Sequence, residues 1–310
     1  MKISIVMLAY NHERFIAKAL ESVLMQETEY DYELIVGEDH SSDGTRQIIK
    51  NYEKKFKGKM VPLYRKKNLG MTKNLLDCFQ HCKGEYIAML EGDDCWTDSK
   101  KLQKQICYLD THPEYIAAVH NWNRVDQYDN FIEKGIECEN IQKFSIQSLN
   151  KCILPAQTST LVIRNVIKDI QKKYKRKLIK YLWIPMDTIA PVLLLQYGNI
   201  VILPEVMSIY HYYIEENGTN WSSKYEIDAK ENYLHFFIIA IGTEKLATEM
   251  GYSVDLSEQK LAIFKNSRKA RGWSKRKKWL WIQGVLMLLL EPHRIRFFKL
   301  AWKERERNKR

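Results

Sequence analysis

Three carboxylates stand within a span of four residues, directly after a short apolar run. The run is Tyr86–Leu90, and Glu91, Asp93 and Asp94 follow it. Like charges this close repel one another, so we expect a positive group to compensate them. Mg²⁺ or Mn²⁺ is the natural candidate, because both prefer oxygen ligands and would then hold phosphate oxygens of a substrate. The alternative is an acidic turn that only caps the next helix.

Strands and helices alternate four times in the first 110 residues. This pattern predicts a mostly parallel sheet with helices on both faces. Ligands of such open sheets bind at the carboxyl ends of the strands. A second acidic pair, Glu38 and Asp39, follows the second strand, so we expect the carboxylates after strands two and four to share one rim. The apolar runs predict strands at 3–8, 33–36, 61–64 and 86–90, and the helical pattern over 12–25 has Asn11 as its N-cap.

The pattern is weaker beyond residue 115. Strands are predicted at 117–122, 160–163, 200–203 and 208–213, with Pro204 ending the third of these, and residues 126–152 read as a loop-rich connection. Helices are predicted at 168–181 and 188–197, and residues 226–264 look helical. We therefore divide the chain into a domain over 1–225, with halves 1–115 and 116–225, and a helical extension over 226–310.

The cysteines and the N-terminus favour a reduced, cytoplasmic protein. The six cysteines show no pairing pattern, and Cys78 and Cys82 lack the further ligands that a zinc site needs. The N-terminal apolar run, Ile3–Ala9, is too short for a signal-peptide core and is better interpreted as a first strand.

The positive charge is concentrated in the tail. Residues 265–310 hold 16 lysines and arginines against three glutamates, which is +13, so residues 1–264 carry −2 of the total +11. A run of twelve mainly apolar residues, Trp279–Leu290, lies inside this region and is shorter than the roughly 20 residues of a spanning helix. Basic flanks with tryptophans suit a helix lying in the interface of an anionic membrane. A core helix with a solvated basic end is the second interpretation. Nucleic acid is a distant third, because no known reader motif accompanies the charge.

Four motifs in order resemble the family-two glycosyltransferases, which have the GT-A, Rossmann-like fold. They are the opening strand Ser4–Asn11, the acidic segment Glu38–Thr45, the tripeptide Asn68–Gly70, and the segment Leu90–Trp96, which resembles the family's DXD motif with Glu91 in place of the first Asp. The resemblance is bacterial in type and covers residues 3–110.

This resemblance implies an inverting transfer of a sugar from a nucleotide sugar to a hydroxyl acceptor. It also implies that the donor lies against Ala9, Tyr10, Asn11, Glu38, Asp39, Asn68, Glu91 and Asp93. Asp93 and Asp94 would bind the metal–diphosphate, with Mn²⁺ or Mg²⁺ as the cofactor. A carboxylate can accept from a uracil N–H or a ribose hydroxyl, which favours a UDP-sugar.

Asp187 is the expected catalytic base. It follows a Pro-containing segment and begins a helix, where the family places its base, and a carboxylate opposite the leaving group suits proton removal from the acceptor. The alternative is a plain N-terminal helix cap.

Some positions depart from the family pattern. His40 replaces a small residue after the acidic pair. His211 follows Tyr210 where relatives have Tyr-Arg, and Tyr213 stands where they have a later His, so His211 either contacts the metal or phosphate or is structural. Trp96 and Trp221 either stack on a sugar face or pack in the core.

The sequence thus predicts a hexosyl- or N-acetylhexosaminyl-transferase of cell-surface glycan or polysaccharide synthesis. We expect a glycan or lipid-linked acceptor, a peripheral location on the inner face of the cell membrane, and no nucleic-acid partner. The alternative is a nucleotide-sugar-binding protein that has lost transfer activity, which Glu91 and the altered Tyr210-His211 segment leave open.

Overall fold

The computed structural model describes residues 1–150, 155–181, 183–214, 229–269 and 293–307, together with residues 282, 286 and 289. Predicted features at Cys152, Gly218 and Trp221, and most of the basic and apolar tail run, lie outside these residues. The described strands are β1 (Ile3–Ala9), β2 (Tyr32–Glu38), β3 (Met60–Tyr64), β4 (Tyr86–Glu91), β5 (Cys95–Trp96), β6 (Tyr115–Val125), β7 (Phe131–Lys134), β8 (Gln142–Phe144), β9 (Val162–Arg164) and β10 (Asn199–His211).

Helices cover both faces of the strands. Two short 3₁₀ helices, Ile146–Asn150 and Thr158–Thr160, lie between β8 and β9. The described α-helices are α1 (Ile16–Leu24), α2 (Thr45–Glu53), α3 (Met71–His81), α4 (Lys101–Thr111), α5 (Ile167–Tyr181), α6 (Met186–Leu194), α7 (Ala229–Glu249), α8 (Ser257–Lys269) and α9 (Arg294–Arg307).

The strands form a single mixed sheet in the part of the chain described. Its order is β3-β2-β1-β4-β9-β6-β10-β5, with β7 beside β6 and β8 beside β10. The first four strands are parallel, and β6 and β10 are also parallel. The short strand β9 joins the two halves by antiparallel pairing on both sides. The predicted α/β fold with a mostly parallel sheet is confirmed, whereas the proposed boundaries near 115 and 225 stay predictions.

Strand β1 is an interior strand, paired with β2 and β4, and all seven of its residues are buried. Val6 and Leu8 belong to the core under α3, α5 and α6. Ile5 and Met7 belong to the core under α1, α2 and α4. The alternation of side chains along a strand places one core on each face of the sheet.

Strand β10 corrects one prediction. The predicted strand 200–203 and residues 208–211 of the predicted strand 208–213 belong to this one strand, which ends at His211, so the prediction that Pro204 ends a strand is wrong. The register with β6 shifts between Leu203 and Val206, and this irregularity accommodates a residue that has no N–H to donate.

The observed helices and strands correct three more predictions. Helix α1 begins at Ile16 rather than near His12, and Asn11 is not its N-cap but takes a left-handed φ of 57°. The segment 226–264 is not one helix, because α7 and α8 are separated at Gly251, which has a φ of 87°. The segment expected to be loop-rich, 126–152, contains β7, β8 and a 3₁₀ helix.

The described cysteines are free thiols in this structure. They are Cys78, Cys82, Cys95, Cys107 and Cys138. None of the described helices combines the length and the low polarity that crossing a membrane requires.

The C-terminal helices are joined by apolar contacts and by one buried ion pair. Phe237 of α7, Leu261 of α8 and Phe297 of α9 form a small core. Lys260 of α8 binds Glu244 of α7 at 2.5 Å, and both side chains are fully buried. Glu244 also accepts from the backbone N–H of Leu256, so this carboxylate holds the turn between the two helices.

We predict that Lys260→Met lowers the free energy of unfolding by about 3–5 kcal/mol, because it leaves the Glu244 charge buried without its partner. The double change Lys260→Met/Glu244→Leu should cost less, since no charge remains to be compensated. Chemical denaturation measures both values. Lys55→Met is the matched control, because Lys55 binds Glu21 at an exposed surface and should contribute little. A single variant as stable as the double variant would contradict the prediction.

Candidate functional site

The carboxyl ends of β1, β2 and β4 lie side by side. Ala9 pairs with Glu38 of β2, and Leu8 pairs with Glu91 of β4. Two hydrogen bonds continue the pairing past the strand ends, from Asp39 N to Ala9 O and from Gly92 N to Leu8 O. The acidic residues after strands two and four therefore share one rim on either side of β1, as the sequence predicts.

The loop after β1 is held to the loop after β2. The backbone N–H of Asn11 donates to Ser41 Oγ at 3.0 Å, and its side-chain oxygen accepts from Ser42 N at 2.9 Å. His12 N donates to Thr45 Oγ1 at 2.8 Å. These bonds fix the left-handed turn at Asn11 and leave Tyr10 half-buried at the end of β1.

Glu38 is buried and already has two partners. Its carboxylate accepts from Ser41 N at 2.6 Å and forms an ion pair with the guanidinium of Arg46. Arg46 also donates to Arg65 O at 2.7 Å. An ionised carboxylate has about four acceptor positions, but the Glu38 side chain has no exposed surface, so a ligand would reach the remaining ones only if Arg46 moved.

Asp39 holds the third motif in place. Its two oxygens accept from Leu69 N at 2.7 Å and from Gly70 N at 2.9 Å. Asn68 also accepts from Gly70 N and is exposed. The residue after Asp39, His40, has a φ of 63°, in the region that favours glycine, which gives a physical reason for the small residue that the family has there.

Four carboxylates interact in the acidic turn. Burial raises the pKa of Glu91 well above its ordinary value, and the nearby charges of Asp93, Asp94 and Asp187 raise it further. Asp187, although distant in sequence, therefore lies close enough to the turn after β4 for its charge to affect Glu91. A cation at this place would relieve the repulsion.

Asp94 faces the interior. It accepts from Ser159 Oγ at 2.6 Å, from the side chain of Gln157 and from His211 N at 3.3 Å. Burial raises its pKa well above the ordinary value, the Asp93 charge adds to this, and the bonds from Ser159, Gln157 and His211 oppose it. Its carboxylate therefore binds three segments of the protein together. Metal binding by Asp94 stays a prediction. These hydrogen bonds do not favour it, because they already occupy both carboxylate oxygens.

Asp93 is more accessible, with 18% of its side chain exposed. His12 Nε2 lies 3.7 Å from Asp93 Oδ2. The turn approaches β1 closely, since a Cβ at Gly92 would lie 2.8 Å from Leu8 O and 2.7 Å from His12 Nδ1. Glycine at this position thus allows Asp93 to stand at the rim while Asp94 turns inward.

His211 lies beside the turn, but its ring contacts protein atoms. Nδ1 is 2.6 Å from Asp93 O, and Nε2 is 2.9 Å from Asp129 Oδ1. Asp129 also pairs with Lys18 of α1. This arrangement supports the structural alternative for His211, since a metal ligand would have to give up one of these contacts, and metal binding by His211 stays a prediction.

Asp187 is the second residue of α6, two residues further into the helix than the predicted start at 188 implied, and the N-cap is Pro185, so Asp187 is not the helix cap. Its Oδ1 accepts from Thr188 N at 2.6 Å and from Thr188 Oγ1 at 3.2 Å. Both contacts fall on the same oxygen, so the second oxygen can take part in proton transfer. Burial raises the pKa of Asp187, which makes its carboxylate a stronger base than an exposed aspartate.

Trp96 is a packing residue in this structure. It is buried, its indole N–H donates to Ser159 O at 2.8 Å, and the ammonium group of Lys101 lies 3.9 Å from the centre of its ring. The expectation that Trp96 stacks on a sugar is not supported by this position. The corresponding expectation for Trp221 lies outside the described residues.

The donor set fits a metal shared with a substrate better than a closed protein cage. In the described ranges no three His, Cys, Asp or Glu side chains come close enough to hold an ion alone. Asp93 at the rim, with Glu91 beside it, offers hard oxygen ligands to one side of a cation. Mg²⁺ is commonly held in this way, by one or two carboxylates together with substrate phosphates and water.

Several functional partners escaped the sequence reasoning. Gln157 and Ser159, which hold Asp94, lie in a weakly patterned segment. Asp129 contacts both His211 and Lys18 across long sequence separations. The contact of Arg46 with Glu38 could have been predicted, because a basic residue in the first helical turn after an acidic motif is a natural partner for a carboxylate.

Comparison with known proteins agrees with this geometry. A model of the family described as glycosyl transferase family 2 matches residues 4–177, more than half of the chain. An uncharacterized protein of Mycobacterium tuberculosis, Rv1520, is 33% identical over 211 residues. These residues make up 67% of this chain and 58% of the relative, so the chain spans less than two thirds of that protein's length.

Two solved structures share the fold. TarS 1–349 of S. aureus, in complex with UDP-GlcNAc, gives a TM-score of 0.64 at 16% identity over 95% of this chain and 83% of its own. The mannosyltransferase PcManGT of Pyrobaculum calidifontis, in complex with GDP-Man and Mn²⁺, gives 0.54 at 13% identity over 97% and 84%. At these identities the likeness establishes the GT-A fold alone. Together with the family match, it shows that the chain belongs to glycosyl transferase family 2.

Proposed function

We propose that this protein is a metal-dependent, inverting glycosyltransferase that moves a sugar from a nucleotide sugar to a hydroxyl acceptor. The observation that carries the proposal is the shared carboxyl rim of β1, β2 and β4, where Glu38 and Glu91 flank β1 and where Asp93, Asp94 and Asp187 form an acidic cluster around Glu91 whose charges raise its pKa. Such a cluster offers a cation site and a candidate base near one another. The rim is also where open α/β sheets bind their ligands.

The donor would lie across the ends of β1 and β2. Glu38 and Asp39 are fixed by backbone and guanidinium partners, and their remaining acceptor positions suit a uracil N–H and a ribose hydroxyl. The UDP-GlcNAc bound to TarS supports a uridine donor, whereas the GDP-Man bound to PcManGT shows that the fold takes another base. A UDP-sugar is therefore our preferred donor, as a hexosyl or N-acetylhexosaminyl compound.

Asp93 would hold the cation, with Glu91 close beside it. A bound Mn²⁺ or Mg²⁺ would supply the positive charge that neutralises the diphosphate leaving group. The Mn²⁺ in the PcManGT complex supports this assignment. Asp94 would contribute by holding the turn that presents Asp93, through its bonds to Ser159 and Gln157.

Asp187 would remove the proton from the acceptor hydroxyl as its oxygen attacks the anomeric carbon opposite the leaving diphosphate. Attack from that side inverts the configuration at the anomeric carbon. The raised pKa of Asp187 and its position at the start of α6 suit this role. The acceptor would be a hydroxyl of a cell-surface glycan or of a lipid-linked precursor.

We predict that Asp187→Asn binds UDP as tightly as the parent and lowers kcat by about 10²–10⁴-fold, because it removes the base without changing side-chain volume. Transfer or donor hydrolysis is measured with a panel of UDP-sugars in Mn²⁺, and UDP binding by calorimetry. Asp169→Asn, an exposed change on α5, is the matched control and should keep parental turnover.

Two results would change this assignment. Near-normal turnover of the Asp187 variant with intact UDP binding would mean that Asp187 only stabilises the first turn of α6 and that the base lies elsewhere. Nucleotide-sugar binding by the parent without transfer or hydrolysis, with or without Mn²⁺, would favour the second function, a binding protein that has lost transfer. The altered motif at Glu91 is the observation that keeps this second function open.

We predict that Asp93→Asn and Asp94→Asn fail in different ways. Asp93→Asn should weaken UDP binding at least tenfold in Mn²⁺, while the free energy of unfolding changes little. Asp94→Asn should lower that free energy by roughly 1–3 kcal/mol, because the new amide N–H₂ faces the Gln157 donor and leaves buried partners unsatisfied. Calorimetry and denaturation in EDTA separate the two effects. Unchanged UDP affinity of Asp93→Asn in Mn²⁺ would refute the metal assignment.

A further inference from the structure

Helix α9 carries two apolar faces. Phe297 points inward, is 3% exposed, and packs with Phe237 of α7 and Leu261 of α8. On the other side of the helix, Ile295, Phe298 and Trp302 are 63%, 46% and 62% exposed. The inward face accounts for the attachment of α9 to the protein, whereas the outward face is not explained by the core.

The outward residues form one stripe. Positions 295, 298 and 302 have the i, i+3, i+7 spacing that places side chains along one side of a helix. The exposed residue Lys299 lies next to this stripe and lines the same shallow surface depression. Together they give the amphipathic arrangement of an apolar stripe beside a basic group.

A second exposed stripe precedes α9 in sequence. Residues Ile282, Leu286 and Leu289 are helical and are 51%, 57% and 47% exposed. An i, i+4, i+7 spacing is one that puts side chains on the same side wherever a chain is helical. The two stripes lie in the segment of the chain that holds a net charge of +13, against −2 for residues 1–264.

We propose that these two stripes insert into the interface of an anionic lipid bilayer, while the surrounding lysines and arginines contact the lipid headgroups. Apolar area and basic charge contribute together to the binding of such helices. Each Lys or Arg near an anionic surface contributes favourably, so several acting together suffice without a spanning segment. The inner face of the cell membrane supplies such lipids.

The observations favour a lipid surface over two other partners. A second copy of the chain would bring together two tails that each carry +13, and these repel. Nucleic acid would account for the charge but would leave six exposed aliphatic and aromatic side chains unexplained. Only an anionic interface takes up both the charge and the apolar stripes.

The packing connects this surface to the acceptor side of the site. Helix α9 packs on α8, α8 packs on α7, and α7 packs on α6, which begins at Met186 beside Asp187. A bilayer bound by α9 would thus be joined through packed helices to the proposed base. This suits an acceptor that is itself carried by a lipid.

The test is co-sedimentation of the full chain with phosphatidylcholine vesicles that contain or lack phosphatidylglycerol. We expect binding to the anionic vesicles at low salt, weaker binding as salt rises, and little binding to the neutral vesicles. The double variant Phe298→Ser/Trp302→Ser should partition at least tenfold less, because two large apolar side chains no longer enter the interface.

Controls separate insertion from misfolding. Phe131→Ser/Ile132→Ser removes two exposed apolar residues of β7, 64% and 45% exposed, and should bind vesicles as the parent does. If the Phe298/Trp302 double variant does not fold, as judged by circular dichroism and thermal denaturation, Lys299→Glu takes its place and should weaken anionic binding several-fold. Quenching of tryptophan fluorescence by brominated lipid should be smaller in Trp302→Phe than in the parent, and the difference reports insertion of Trp302.

Three outcomes would overturn the proposal. The parent could remain in the supernatant with anionic vesicles at low salt. The folded double variant could bind as tightly as the parent. A dimer of the parent that the double variant converts to a monomer, without vesicle binding, would assign the stripe to self-association. Vesicle binding is measured without donor or acceptor, so its failure is independent of the transfer reaction.

Discussion

The buried carboxylate of Asp94 fixes the geometry of the site. It connects the turn after β4, the 3₁₀ helix at Ser159 and the end of β10 at His211 through three hydrogen bonds. A buried carboxylate without such partners would be costly, so these segments are held where the donors can reach it. The two aspartates of this turn therefore have different roles. Asp94 points inward and holds the turn, and this leaves Asp93 pointing outward at the rim.

Further contacts connect Asp94 to helix α1. His211, whose backbone binds Asp94, holds the Asp93 carbonyl with one ring nitrogen and Asp129 with the other. Asp129 in turn pairs with Lys18 of α1. The acidic turn is therefore surrounded by a network that links β10, the β6–β7 turn and α1.

The parallel half of the fold could be predicted, because its signals are local. Apolar runs end in polar residues at Glu38 and Glu91, and alternation with helices fixes the strand direction, so the shared rim follows without knowledge of any contact. The roles of Gln157, Ser159 and Asp129 could not be predicted, because each meets its partner across 60 or more residues from a segment without clear periodicity. The prediction that a strand ends at Pro204 was wrong for a related reason. A bulge in a paired strand depends on the neighbouring strand and not on the sequence around the proline.

The tail shows a different limit of sequence reasoning. Membrane contact and core packing stood as alternatives for its apolar residues, because hydrophobic periodicity does not say what a helix face contacts. In α9 the neighbours Phe297 and Phe298 point in different directions, one into the core with Phe237 and one outward beside Lys299. The two interpretations are therefore compatible, since the inward face fixes the helix while Ile295 and Phe298 on the outward face stay exposed. A helix anchored in this way would hold the proposed catalytic rim at a constant distance from the surface that it binds.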